Sequence, residues 1–169
     1  MRCFVAACVA TVFATWFPNM GYAAQCRATQ SVISSAASVA ANNADGGHVS
    51  IHIRGMPTQA NKTQYDDEAD FTKAFRNWKD LSEARIATLR LEPKACSGNR
   101  DLIDMVPAKA LGISTTKFCL EVDKKGACTE YQGHVAENVC FTYHSNGGKW
   151  VLWTSYPIFG SNCLAYPGY

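Results

Sequence analysis

The chain has 169 residues, 47% of them apolar, 11% aromatic and 18% charged, with a formal net charge of +2. That length suits one domain with a buried core, and low charge with abundant aromatics excludes a wholly disordered chain. So small a net charge provides no polybasic field, and tight electrostatic capture of duplex nucleic acid is not implied.

Arg2 supplies a short positive start, and Phe4 to Phe17 is apolar except for Thr11 and Thr15. Pro18 stops the run, and Gly21-Tyr22-Ala23-Ala24 offers small residues for cleavage after Ala23 or Ala24. This is the layout of a secretory signal peptide, too short to span a bilayer. The expected division is a signal over residues 1–23 and a single domain over residues 24–169, secreted or periplasmic, with no membrane span after signal removal. Loss of Arg2 takes away one of the two net positive charges.

Cys3 and Cys8 leave with the signal. Cys26, Cys96, Cys119, Cys128, Cys140 and Cys163 remain. An even number in an exported chain reads as three disulfides, with the pairing open. No Cys-x-x-Cys pair is present to favour zinc.

Ser31 to Asn43 is Ala- and Ser-rich, with Val32, Ile33, Ala36 and Val39 near helical spacing, and predicts a helix ended by the Asn42-to-Gly47 turn. Met56 to Gln64 reads as a loop. Asp66 or Asp67 caps a helix whose Phe71, Ala74, Phe75 and Trp78 form one apolar stripe. Leu81 to Leu91 continues it, as a second helix or as a helix running into a strand. Two hairpins follow: Ser114–Val122 with Ala127–Gln132 around Asp123-Lys124-Lys125-Gly126, and Val139–His144 with Lys149–Tyr156 around Ser145-Asn146-Gly147-Gly148. Helices in front and an antiparallel β meander behind define an α+β fold.

Two segments are candidates for chemistry. In Gly46-Gly47-His48 to His52-Ile53-Arg54 the histidines are four apart. On a helix their Cβ atoms would be about 6 Å apart; on a strand, roughly 13 Å. Val49, Ile51 and Ile53 favour a strand, whereas the Gly-Gly opening fits a helix entry. Zinc is disfavoured, because Val49 stands where His-Glu-x-x-His needs glutamate and nothing selects His134 or His144 as a third ligand. In Thr154-Ser155-Tyr156-Pro157 the two hydroxyls share one strand face, and Pro157 closes the strand. The acidic run Asp66, Asp67, Glu68 and Asp70 is explained by helix capping.

The order of these pieces resembles the bacterial ribonuclease A-like toxin domain of contact-dependent growth inhibition proteins. Similar to that family are the Gly-Gly-His-x-x-x-His opening at Gly46–His52, the Tyr65-Asp66-Asp67 helix segment through Trp78, the Gly-turned hairpin Cys140–Trp153, and the closing Thr154-Ser155-Tyr156-Pro157. The match covers Gly46 to Pro157.

The resemblance implies a ribonuclease A-like α+β domain, which the six cysteines of this chain would staple with disulfides. It implies a toxin or effector that cleaves RNA by transesterification to a 2′,3′-cyclic phosphate without metal or cofactor, with a cognate immunity or inhibitor protein as partner; the signal segment adds secretion, and a monomer is expected. His48 and His52 would be the acid and base, in either order. Lys62 would stabilise phosphate charge, with Arg54 as its competitor and a substrate contact. Thr154 and Tyr156 would be the terminal hydroxyl pair; beside the resemblance, Trp153 or Trp150 could stack on a base, with at least one of the two expected in the core and Trp153 taken as the substrate contact. The alternatives are a non-catalytic secreted binding or inhibitor protein, and a hydrolase using His134 or His144 with an unpaired cysteine.

Overall fold

The computed structural model describes residues 30–89, 102–146 and 149–165. The expected signal segment, Cys26 and Cys96 lie outside these residues.

The front of the chain is helical, with more breaks than its composition predicts. Helices α1 (Gln30–Ser35) and α2 (Val39–Ala44) replace the single helix expected over Ser31–Asn43. The break is at Ser38, which adopts an extended backbone and caps α2 by accepting a hydrogen bond from the Ala41 amide at 3.0 Å. A short 3₁₀ helix, Val49–His52, carries the histidine segment, so neither the α-helix nor the strand reading holds there. Helix α3 (Glu68–Leu89) then continues without a break from Leu81 to Leu89, as one helix rather than two elements. Asp67 caps it, its carboxylate accepting from the Asp70 amide at 2.8 Å.

The remainder is built of antiparallel strands: β1 (Thr63–Gln64), β2 (Leu102–Pro107), β3 (Thr115–Val122), β4 (Cys128–Val135), β5 (Asn138–Asn146) and β6 (Lys149–Ile158). They do not form one meander. Two three-stranded sheets result, ordered β1-β3-β4 and β2-β5-β6, because the chain changes sheet in the short Ala136-Glu137 link. There Ala136 donates to Ser114 in front of β3, and Glu137 donates to Ile158 of β6. Both expected hairpins are present; β2 was not anticipated. The architecture is α+β.

Pro157 does not end β6, which runs on to Ile158 with Pro157 opposite Val139. As the edge strand of its sheet, β6 has one side free of ladder bonds, where the missing N–H of a proline costs nothing. Phe71, Ala74, Phe75 and Trp78 of α3 are buried in the cluster that holds Val139, Phe141, Tyr143 and Leu152 of β5 and β6. The predicted stripe is therefore the helix's contribution to the core. Trp78 is fully buried, so Trp78→Ala would cost about 3–5 kcal/mol.

Among the described residues, two disulfides staple the β half. Cys119–Cys128 crosses the β3–β4 hairpin, and Cys140–Cys163 ties β5 to the segment after β6. Among the described residues no helix is long and apolar enough to cross a membrane.

Candidate functional site: two histidines around a buried lysine

Strand β6 organises the site because it contains a bulge. Thr142 of β5 faces Thr154, but the next residue, Tyr143, faces Leu152, leaving Trp153 as the extra residue. Its carbonyl, freed from the ladder, accepts from the His48 amide at 2.6 Å. The His48 ring lies 4.1 Å from the Trp153 ring, and His144 of β5 packs on the same indole at 4.7 Å.

One turn of 3₁₀ helix later, His52 is buried, with only 3% of its surface exposed. Its ring stacks on Tyr156 at 4.7 Å and 22°. Nδ1 lies 2.7 Å from the Thr63 carbonyl, which can only accept. The proton is therefore on Nδ1, and Nε2 carries the lone pair.

Lys62 completes the cluster. It is 4% exposed and has no acidic partner among the described residues. Its charge acts on both histidines. Desolvation pushes the Lys62 ammonium below its usual pKa. The His52 pKa falls to about 3, mainly through burial; the Thr63 hydrogen bond opposes that shift, and Lys62 and His48 add to it. The His48 pKa is also lowered, first by desolvation and then by the charges of Lys62 and His144. A buried cation without a carboxylate partner is costly in a folded chain, and an arriving anion would relieve that cost. The cluster has the electrostatics of an anion site with a neutral imidazole at one end.

The other sequence candidates are distributed as follows. Arg54 is half exposed, 3.7 Å from the Asp66 carboxylate that Lys117 also approaches at 3.9 Å. Its guanidinium thus shares one carboxylate with Lys117 outside the cluster. Thr154 is on the right face, but its hydroxyl oxygen is sealed from solvent and has no partner among the described residues; the same holds for the Thr142 hydroxyl opposite. Tyr156 presents its ring to His52, while its hydroxyl donates to the Cys163 carbonyl at 3.1 Å. Trp153 is half-buried between strand and histidines, and Trp150 belongs to the core. His134 stands elsewhere, stacked on Phe159 at 3.9 Å. Cys119, Cys128, Cys140 and Cys163 are all paired. Among the described residues, no group of three or more His, Cys, Asp or Glu is arranged to hold a metal ion.

Sequence reasoning missed His144 as a member of the cluster. Only the bulge, a feature of strand pairing, brings it to the ring that His48 also covers.

No family model, curated protein or solved structure matches this chain. The functional reading therefore rests on the residues.

An open cavity of about 400 Å³ lies at Lys109, Gly112, Ile113, Ser114, Val135 and Ala136. It shares no residue with the histidine cluster.

Proposed function

We propose that the protein is an exported, metal-independent ribonuclease of the ribonuclease A-like toxin type, cleaving single-stranded RNA by transesterification. The observation that carries this reading is the buried, unpaired Lys62 acting on both His48 and His52. A phosphodiester is the anion that needs both a cation and two proton-transfer groups.

The chemistry requires a base for the 2′-OH, positive charge on the phosphorane and an acid for the departing 5′-oxygen. His52 suits the base, because Nε2 keeps its lone pair while Nδ1–H is held by Thr63. The 2′-oxygen attacks phosphorus as Nε2 takes its proton, forming the P–O2′ bond. Lys62 offsets the charge that develops on the non-bridging oxygens. The P–O5′ bond then breaks, and His48, as imidazolium, gives its proton to O5′. An arriving phosphate neutralises Lys62 and so removes one of the causes that depress His52, raising its basicity when it is needed.

Tyr156 acts through its ring, as the wall that orients His52, and Thr154 acts from beneath the surface. The Cys119–Cys128 and Cys140–Cys163 pairs are compatible with an oxidising compartment outside the cytosol. Incubation with single-stranded RNA in EDTA tests the reading: 2′,3′-cyclic phosphate ends are expected. Absence of cleavage by the pure, oxidised protein would favour a non-catalytic anion-binding role.

A further inference from the structure

Asn42 is fully buried in α2, at the first position of the stretch that reads in the sequence as a plain turn. Its Nδ2 donates to the Leu152 carbonyl of β6 at 2.6 Å, and its Oδ1 accepts from the Val49 amide at 2.9 Å. Its own carbonyl accepts from the Gly47 amide at 2.8 Å. One side chain thus ties the bulged strand to the first turn of the 3₁₀ helix, and His48 lies between the two anchored points. Ser35 takes the other half of the same strand residue, its hydroxyl accepting from the Leu152 amide at 2.8 Å. Together they replace the neighbouring strand that the β6 edge lacks.

The Gly-Gly pair is explained by the same contact. Gly46 has φ +85°, which a side chain rarely adopts. At Gly47 a Cβ would collide with the Asn42 amide group. Asn42, Gly46, Gly47 and His48 therefore form one unit, in which the glycines let the chain close around the asparagine.

We infer that Asn42 is the positioning residue for His48, fixing where that imidazole stands against Trp153. Its effect on catalysis rests on the ribonuclease reading; its effect on His48 geometry does not.

The test combines NMR of the histidine rings with a kinetic cycle on Asn42→Asp, Asn42→Ala and Gly47→Ala. Asn42→Asp keeps the shape and the acceptor for Val49 but cannot donate to Leu152. In all three variants the His48 ring resonances are expected to leave the position that the Trp153 indole imposes at 4.1 Å. Those of His134, stacked on Phe159, should stay, which reports an intact fold. On RNA, Asn42→Ala should lower kcat/KM roughly tenfold to a hundredfold when His48 is present. It should have no further effect in a His48→Ala background, because a residue acting only through His48 has nothing left to position. Unmoved His48 resonances would overturn the inference. So would displacement of His134 as well, or an equal kinetic loss in both backgrounds, since either makes Asn42 a general stability residue. If the wild-type protein cleaves no RNA, the ribonuclease reading fails and the NMR comparison alone decides the role of Asn42.

Discussion

The Lys62 carbonyl accepts from the Cys119 amide at 2.9 Å, and the Cys119 carbonyl accepts from Asn61 at 2.7 Å. The residue that supplies the site's cation is thus clamped on both sides by one half of a disulfide. Asn61 adopts φ 64°, a left-handed conformation that this clamp holds in place. The second disulfide backs the opposite wall, because the Tyr156 hydroxyl donates to the carbonyl of Cys163. The two disulfides therefore support the two sides of the proposed anion site.

Replacing Cys119 and Cys128 together by serine should lower stability by about 2–3 kcal/mol. It should lower RNA cleavage beyond the loss expected from the unfolded fraction, because Lys62 loses its clamp. Urea unfolding and initial rates under folding conditions measure the two effects separately. Unchanged rates in the folded variant would show that the β1–β3 ladder holds Lys62 unaided.

Lys62 and Arg54 should separate sharply. Lys62→Met removes a desolvated, unpaired charge, so it should raise the melting temperature while reducing cleavage at least a hundredfold. Arg54→Ala removes an exposed partner of Asp66, worth no more than about 1 kcal/mol, and should leave most activity. Calorimetry and kinetics on the two variants decide. Equal losses of activity would mean that both cations reach the phosphate.

The histidine shifts set a pH dependence. The folded His52 pKa, about 3, is below the ordinary value of 6.5, so between these limits the unfolded chain binds more protons than the folded one. Stability contributed by this group is present above pH 6.5 and is lost as pH falls toward 3, by an amount on the order of 5 kcal/mol. His52→Gln should flatten that part of the stability profile, as urea titrations from pH 7 to 4 would reveal. Cleavage should respond at the other histidine. His48 must be protonated as the acid, and its pKa is lowered from 6.5, so the rate should decline with rising pH from below 6.5. A rate that rises through neutrality would reverse the assigned roles.

Tyr156 offers a test of ring against hydroxyl. Tyr156→Phe keeps the stack on His52 and loses the bond to Cys163, so it should cost about 1 kcal/mol of stability and little activity. Tyr156→Ala should cost far more of both. Loss of activity in the phenylalanine variant would mean that the hydroxyl itself serves the reaction.

Helix α3 was legible because its stripe at Phe71, Ala74, Phe75 and Trp78 repeats at helical spacing and its cap is local. The two hairpins were legible from their turns. Strand β2 was not: Leu102 to Pro107 is short, lacks strict alternation and becomes a strand only by pairing with β5. The histidine segment had contrary local signals, and the deciding partner, Leu152, is 110 positions from Asn42. Both histidines of the site were visible in the Gly-Gly-His spacing. The resemblance already puts Lys62 ahead of Arg54; what only the fold shows is that Arg54 lies against Asp66. The resemblance implies a substrate role for the Thr154 hydroxyl, whereas burial seals that oxygen from solvent.

The most direct measurement uses a DNA oligonucleotide carrying a single ribonucleotide, incubated with the oxidised wild-type protein in EDTA. The account predicts one cut, immediately 3′ of the ribonucleotide, leaving a 2′,3′-cyclic phosphate, and none in the all-deoxy control. The cut should disappear in His52→Ala and Lys62→Ala. Cleavage of the all-deoxy strand, or an intact ribonucleotide linkage after prolonged incubation, would contradict it.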